Sequence, residues 1–257
     1  MSKEYAVVTG SSSGMGMEFA KLLAKQGYNL VLVARRTERL EQLQKEILQA
    51  NTIDIHVVSL DLSLPDSPDK LLAYAQINGL KVSVLINNAG FGAYGEFLNV
   101  PIEKTMEMLQ LNMVTLTKLT YLFGNEMKKN GLGYILQVAS LGAFQPSPYF
   151  SAYSATKAYV MLFSEAVDFE WKGSNVSITT LYPGATKTEF FDVAQNKLSP
   201  LVKTTLMTAE QVASIALKAM FNRERSIIPG IINKLSAFMT RFAPRDFATW
   251  SAARLMK

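Results

Sequence analysis

The chain has 257 residues, of which 49% are hydrophobic and 18% charged, a balance that suits a soluble globular protein with a large core. It contains no cysteine and one histidine, which excludes disulfides, thiolate catalysis and Cys-ligated metals and leaves any Ser-His-Asp arrangement dependent on His56. The net charge of +5 is unevenly placed: residues 223–257 hold seven of the 26 basic residues and two of the 21 acidic ones, so the first 222 are balanced. A nucleic-acid binder spreads a basic stripe over its binding face, and no such module is visible, so no nucleic-acid partner is expected.

No signal or transit segment is recognisable before the first strand-like run, and the apolar runs are too short to span a bilayer. A cytoplasmic protein is the expectation. Strand-like runs fall at residues 5–9, 29–34, 55–60, 82–87, 133–138, 176–182 and 226–229. Helix-like stretches alternate with them at 15–25, 37–49, 70–77, 101–129, 152–171 and 209–221. Thr208 with Gln211 three residues on predicts a capping box for the last of these. Nearly all-apolar strands alternating with helices mean a parallel sheet covered on both faces. No repeat or linker divides the chain. His56 lies within the third strand-like run, where a structural or surface role is the simpler reading.

The first strand leads into Gly10-Ser11-Ser12-Ser13-Gly14-Met15-Gly16 and then an amphipathic helix. Glycines allow a tight turn and close approach to a pyrophosphate, while the new helix offers free N–H groups and the positive end of its dipole. A glycine-rich loop alone is a weak signal; the strand before it and the helix after it are the context that it needs. The second strand ends in Arg35-Arg36, with no acidic residue before Glu38. An acidic residue there would bond a ribose 2′-hydroxyl, whereas arginine suits a 2′-phosphate. Asp61-Leu62 and Asn88-Ala89-Gly90 close the third and fourth strands, at the end of an open sheet where ligands sit.

Ser140 follows the fifth strand, and Tyr153 and Lys157 stand four apart on a predicted helix, so the latter two share a face. An ammonium beside a phenol favours the phenolate, moving a group of ordinary pKa about 10 toward the range useful for acid/base work.

In this ordered set the sequence resembles the short-chain dehydrogenase/reductase family, single-domain type. The motifs run from the glycine loop through Asp61, Asn87-Asn88-Ala89-Gly90, Asn112, Ser140, Tyr153 and Lys157 to Pro183-Gly184 and Thr188. The resemblance implies a Rossmann-like, doubly wound α/β fold with about seven parallel strands and helices on both faces. Residues 1–230 would form the dinucleotide-binding and catalytic domain, and 231–257 a basic amphipathic helical extension of it. It implies a carbonyl/alcohol oxidoreductase in which Tyr153 is the acid/base. Lys157 would depress the tyrosine pKa and hold the nicotinamide ribose, Ser140 would orient the carbonyl, and Asn112 would hold a water linking Lys157 to solvent. Pro183, Gly184 and Thr188 would lie by the nicotinamide, Asp61 by the adenine and Asn88 by the ribose. A homodimer or homotetramer through helices 101–129 and 152–171 is also implied. The glycine loop carries Ser13 where many NADP(H)-using members have a basic residue, so the expectation of NADP(H) over NAD(H) rests on Arg35 and Arg36.

Phe91, Leu141, Phe144, Tyr149, Phe190 and Phe191 suggest an apolar pocket wall and a hydrophobic small-molecule substrate. Residues 189–207 read as a lid over it. An epimerase or dehydratase would need a larger substrate domain after the sheet. A non-catalytic nucleotide-binding regulator is the remaining alternative, and the intact Ser140/Tyr153/Lys157 set argues against it. In the tail, Ile231, Leu235, Phe238, Met239 and Phe242 form one helical stripe among Lys234, Arg241 and Arg245. This suits a helix docked on its own domain, a subunit contact, or a basic amphipathic helix making a peripheral membrane contact.

Overall fold

In a computed structural model, which describes residues 4–190 and 205–256, β-branched and aliphatic runs form the strands. They are β1 (Tyr5–Thr9), β2 (Asn29–Ala34), β3 (Ile55–Ser59), β4 (Val82–Asn87), β5 (Gly133–Val138) and β6 (Val176–Leu181). Thr186–Lys187 (β7) pairs with Met207–Thr208 (β8) in a separate two-stranded piece. Ser226–Ile227 (β9) completes a seven-stranded, wholly parallel sheet of order β3-β2-β1-β4-β5-β6-β9. The order reverses between β1 and β4, which opens a crevice at their carboxyl ends.

Helices α1 (Gly14–Lys25), α2 (Thr37–Ala50) and α7 (Ala209–Phe221) cover one face. There Phe19, Leu23, Leu40 and Leu217 meet Ala6, Val8, Leu30, Leu32 and Ile86. Helices α3 (Ser67–Ile77) and α5 (Leu116–Asn130) cover the other, where Leu71, Leu119, Phe123 and Met127 meet Val7, Val31, Val33, Leu85 and Ile135. Successive strand residues thus serve opposite faces, as the pleat requires. The α6 helix (Ser151–Glu170) lies beside β5 and β6 and carries the second half of the site. The last two helices are α8 (Ile231–Met239) and α9 (Arg245–Met256).

The single helix expected over 101–129 is instead α4 (Ile102–Leu109), a π-helical turn (Gln110–Thr115) and α5. A π turn inserts an extra residue into the helical register, and such turns are frequent at functional sites. Here it brings Asn112 inward, where it is almost wholly buried. The capping box forms as expected: the Thr208 hydroxyl accepts from the Gln211 N–H, and the Gln211 side chain accepts from the Thr208 N–H.

Candidate active site

All strands of the main sheet being parallel, the polar residues that follow β1 to β6 gather along one edge. Gly10 and Gly14 have φ of +67° and +55°, a left-handed region that side chains rarely adopt. A Cβ on Gly16 would stand 2.2 Å from the Gly10 carbonyl oxygen and 2.6 Å from Asn88 Nδ2. The loop is therefore a backbone cradle that only glycine keeps open, the shape that a pyrophosphate group needs. Met15 packs partly buried against the core behind it. Asn88 holds the cradle from beneath, its Nδ2 donating to the Thr9 and Gly10 carbonyls at 2.9 and 3.3 Å. The Thr9 hydroxyl donates to Ile86 O and accepts the N–H groups of Asn88 and Ala89. Asn88 thus spends its amide on the loop.

The two arginines after β2 diverge. Arg36 reaches the cradle, donating to the hydroxyls of Ser12 (3.0 Å) and Ser13 (2.9 Å). Its Nη1 also meets Glu189, to which Arg39 donates at 2.8 Å. Arg39, and then Arg36, hold the Glu189 carboxyl below the usual carboxylate range. Arg39 lies three residues beyond Arg36, the spacing that places side chains together on a helix. That spacing is visible in the sequence. Arg35 points elsewhere, to Glu107 at 3.2 Å and Asp61 at 3.9 Å. Asp61 caps its own turn by accepting from Ser63 N and Oγ. The neighbouring Leu62 is buried, and its carbonyl accepts from Thr115.

The chemistry-bearing side chains meet at the ends of β4, β5 and α6. Ser140 follows β5 in extended conformation, and its Oγ accepts from Gly142 N at 3.1 Å, which aims the hydroxyl. Tyr153 stands in the first turn of α6, with the Ser140 side chain near enough to act on its phenol. Burial pushes the Tyr153 phenol up to about 12, and the neighbouring Ser140 side chain opposes this. The expected depression by Lys157 is not what the geometry produces. Lys157 Nζ stands 5.7 Å from the Tyr153 ring centre and donates to Val138 O at 2.7 Å. Burial in turn drives the Lys157 ammonium down to about 8. The desolvation of both groups outweighs their mutual attraction. Asn112 Nδ2 donates to Phe91 O and the Thr156 hydroxyl, and its Oδ1 accepts from Phe91 N. Asn112 and Lys157 flank Gly90, where a Cβ would lie 2.8 Å from the amide oxygen and 3.7 Å from the ammonium.

On the far side, Pro183 O accepts from Leu141 N, tying the loop after β6 to the Ser140 turn. Gly184 is pressed by Asn233 of α8, 2.6 Å from where its Cβ would be. Nothing in the local sequence signals that contact. Thr188 lies against Gly14 across the crevice. The surroundings of Tyr153 are aromatic: Phe150 and Phe190 stand 5.7 and 5.3 Å from its ring, and Tyr94 and Tyr149 continue the cluster. Phe144 turns away to pack on Tyr182 in the core. Tyr149 adopts φ of +66°, backbone strain of a kind that collects at functional sites. Phe191 and residues 191–204 of the expected lid lie outside the described residues. His56 sits away from the site, between Tyr74 and Asp54.

A crevice of this fold, with a glycine cradle and a serine, tyrosine and lysine gathered at the strand ends, defines a dinucleotide-dependent oxidoreductase of the alcohol/carbonyl type. Residues 4–199 match the family model described as short chain dehydrogenase, and the chain belongs to that family. It is 31% identical over 235 residues to a 7beta-hydroxysteroid dehydrogenase of Mediterraneibacter gnavus, covering 91% of this chain and 88% of that protein. It is 31% identical over 248 residues to the very-long-chain 3-oxoacyl-CoA reductase of Rattus norvegicus, covering 93% and 76%. Among solved structures, a short-chain dehydrogenase from Sphingobium yanoikuyae in complex with NADPH superposes with a TM-score of 0.83 at 28% identity, covering 93% of each chain.

Proposed function

We propose that the chain reduces the carbonyl of a hydrophobic small molecule to the alcohol, using NADPH, with Tyr153 as the proton donor. The observation that carries this reading is the gathering of Ser140, Tyr153 and Lys157 where β5 ends and α6 begins, among the rings of Phe150 and Phe190 and beside the glycine cradle. A serine and a tyrosine hydroxyl brought to one place can bond one reacting oxygen between them.

The cradle fits a dinucleotide. Gly10, Ser12, Ser13, Gly14, Met15 and Gly16 would hold its pyrophosphate, and Asp61 and Leu62 would border the adenine. Ala89 and Gly90 would flank the ribose, with Asn88 holding the backbone. Pro183, Gly184 and Thr188 would border the nicotinamide. Arg36, reaching the serine hydroxyls of the cradle, would pair with a 2′-phosphate, and Arg39 would assist. Arg35 is turned toward two carboxylates, so the preference for NADP(H) falls to Arg36. When bound, the cofactor supplies the hydrogen and electron pair that the substrate carbon gains.

Ser140 orients the carbonyl oxygen by hydrogen bonding, and Tyr153 passes its phenolic proton to it. The Lys157 ammonium, fixed on the Val138 carbonyl, steadies the developing phenolate. Asn112 is a positioning residue that holds the backbone at Phe91 and the Thr156 hydroxyl. The relatives are named for a hydroxysteroid and for a very-long-chain 3-oxoacyl-CoA. Both carry extended apolar skeletons, in keeping with the rings of Phe150 and Phe190 against Tyr153. Exposed Tyr121 on α5, and Leu162 and Phe169 on α6, make these helices the candidate interface of a homodimer or homotetramer.

The test is NADPH and NADH oxidation over a panel of apolar and polyol carbonyls, with wild type and Tyr153→Phe compared. Loss of the hydroxyl is expected to lower turnover on the order of 10²- to 10⁴-fold. Unchanged turnover in Tyr153→Phe overturns the mechanism. Better turnover of polyols than of apolar carbonyls overturns the substrate class.

A further inference from the structure

The two helices after β9 are packed inside out. In α8, Asn233 and Ala237, one turn apart, are buried against the body. The opposite face carries Ile231, Leu235, Phe238 and, just past the helix end, Phe242, at spacings of four, three and four, and each is more than half exposed. In α9 the buried pair is Ala248 and Ala252, while Phe247 and Trp250 face outward, each also more than half exposed. Small side chains seat the helices and large apolar ones are presented to solvent, the reverse of an ordinary surface helix. The stripe legible in the sequence is therefore not docked on its own domain.

The exposed rings are ordered among themselves. Phe238 and Phe242 make an edge contact at 5.2 Å, and Phe247 and Trp250 stack at 5.9 Å. Arg254 lies over the Trp250 ring at 4.9 Å. Among the described residues, none of Lys234, Arg241, Arg245 and Arg254 is engaged in an ion pair. Asp246 is the single acidic residue of this stretch, whereas residues 1–222 are electrically balanced.

We propose that α8 and α9 form a docking surface for an anionic lipid bilayer, with the outward phenyl and indole rings entering the interface and the four basic side chains meeting lipid headgroups. Charge decides between the two occupants that an apolar face would suit. Two copies joined symmetrically across this face would bring its cations against each other, whereas an anionic surface is attracted to them, by about 1 kcal/mol per Lys or Arg. No helix among the described residues is long and apolar enough to cross a membrane, so attachment here lies in the interface plane. The surface also adjoins the site: Asn233, in the first turn of α8, presses on Gly184 of the loop after β6. Docking would thus set the substrate side of the protein against the phase in which apolar carbonyls dissolve.

The test is flotation of the full chain with phosphatidylcholine vesicles, with and without one third phosphatidylserine, at low and high salt. Two double variants are compared: Phe238→Ser with Trp250→Ser, and Arg241→Glu with Arg245→Glu. All four positions are exposed, and thermal unfolding checks that each variant is folded. Binding to the anionic vesicles is expected to exceed binding to the neutral ones about tenfold or more, and to fall by a similar factor in high salt or in either variant. Absence of wild-type binding to anionic vesicles, or variants that float like wild type, overturns the proposal. So does lipid-free self-association that either variant abolishes, which would assign the face to a second copy. None of these outcomes depends on the catalytic reading.

Discussion

Lys157 is a charged group taken out of water, with one carbonyl to receive it. Its Nζ bonds to Val138 O, yet burial lowers its pKa from an ordinary 10.5 to about 8. The depressed value means that the unfolded chain binds more protons between pH 8 and 10.5. Stability should therefore rise with pH across that window and be flat below it. The shift corresponds to a cost of about 3 kcal/mol at neutral pH, offset in part by the carbonyl bond, which contributes about 1 kcal/mol. Lys157→Met should then raise stability at pH 7 by roughly 1–2 kcal/mol and flatten the slope between pH 8 and 10 while abolishing turnover. Chemical denaturation at several pH values measures both effects. A variant less stable than wild type at pH 7 would mean that the buried ammonium is better compensated than its single bond suggests. This charge is kept in the fold at a cost in stability, as expected of a group retained for chemistry.

At the scale of elements, Thr208 offers a clean test, since its capping box is confined to the first turn of α7. Thr208→Ala should cost about 1 kcal/mol and lower the Tm by roughly 2–4 °C, with the KM for substrate and cofactor unchanged. A shift in KM would instead implicate the β7–β8 pair in ligand binding. That cap was legible in the sequence because it is local, and so were β1, β2, β4 and β5, whose apolar runs admit no other covered arrangement. The π turn at Asn112 was not legible, because hydrophobic periodicity does not report an inserted residue. Nor were β7 and β8, two-residue strands that exist only because the chain returns to pair there. Periodicity found the stripe on α8 but not its direction, which depends on Asn233 and Ala237 being the side chains that fit the body. Within the site, Ser140, Tyr153 and Lys157 were legible as a spaced set. Glu189 was not, since its partners Arg36 and Arg39 lie some 150 residues away in sequence. The upward course of the Tyr153 phenol was also hidden, because spacing reveals a neighbouring charge and not the depth at which both groups are buried.

For the whole molecule, the crevice links segments that are otherwise held together mainly by the sheet: the β1–α1 loop, the end of β2, the turn after β4, α6 and the loop after β6. A ligand that touches all of them binds only the folded chain, so it stabilises the entire fold by mass action. At a concentration a hundred times its Kd, the gain is about 2.7 kcal/mol. For a chain of this size that is a rise in Tm of roughly 5–10 °C. NADPH should produce this shift at lower concentration than NADH, because Arg36 stands at the Ser12 and Ser13 hydroxyls with no acidic group on its own loop to repel a phosphate. Arg36→Ala should remove the advantage of NADPH and leave the NADH shift in place. The displaced partner makes the experiment sharper. Glu189 pairs with both Arg36 and Arg39, so a 2′-phosphate must compete with that carboxylate. Glu189→Gln should therefore move the NADPH curve to lower concentration and leave the NADH curve where it was. Equal shifts by the two cofactors in wild type would place the discrimination elsewhere than in Arg36.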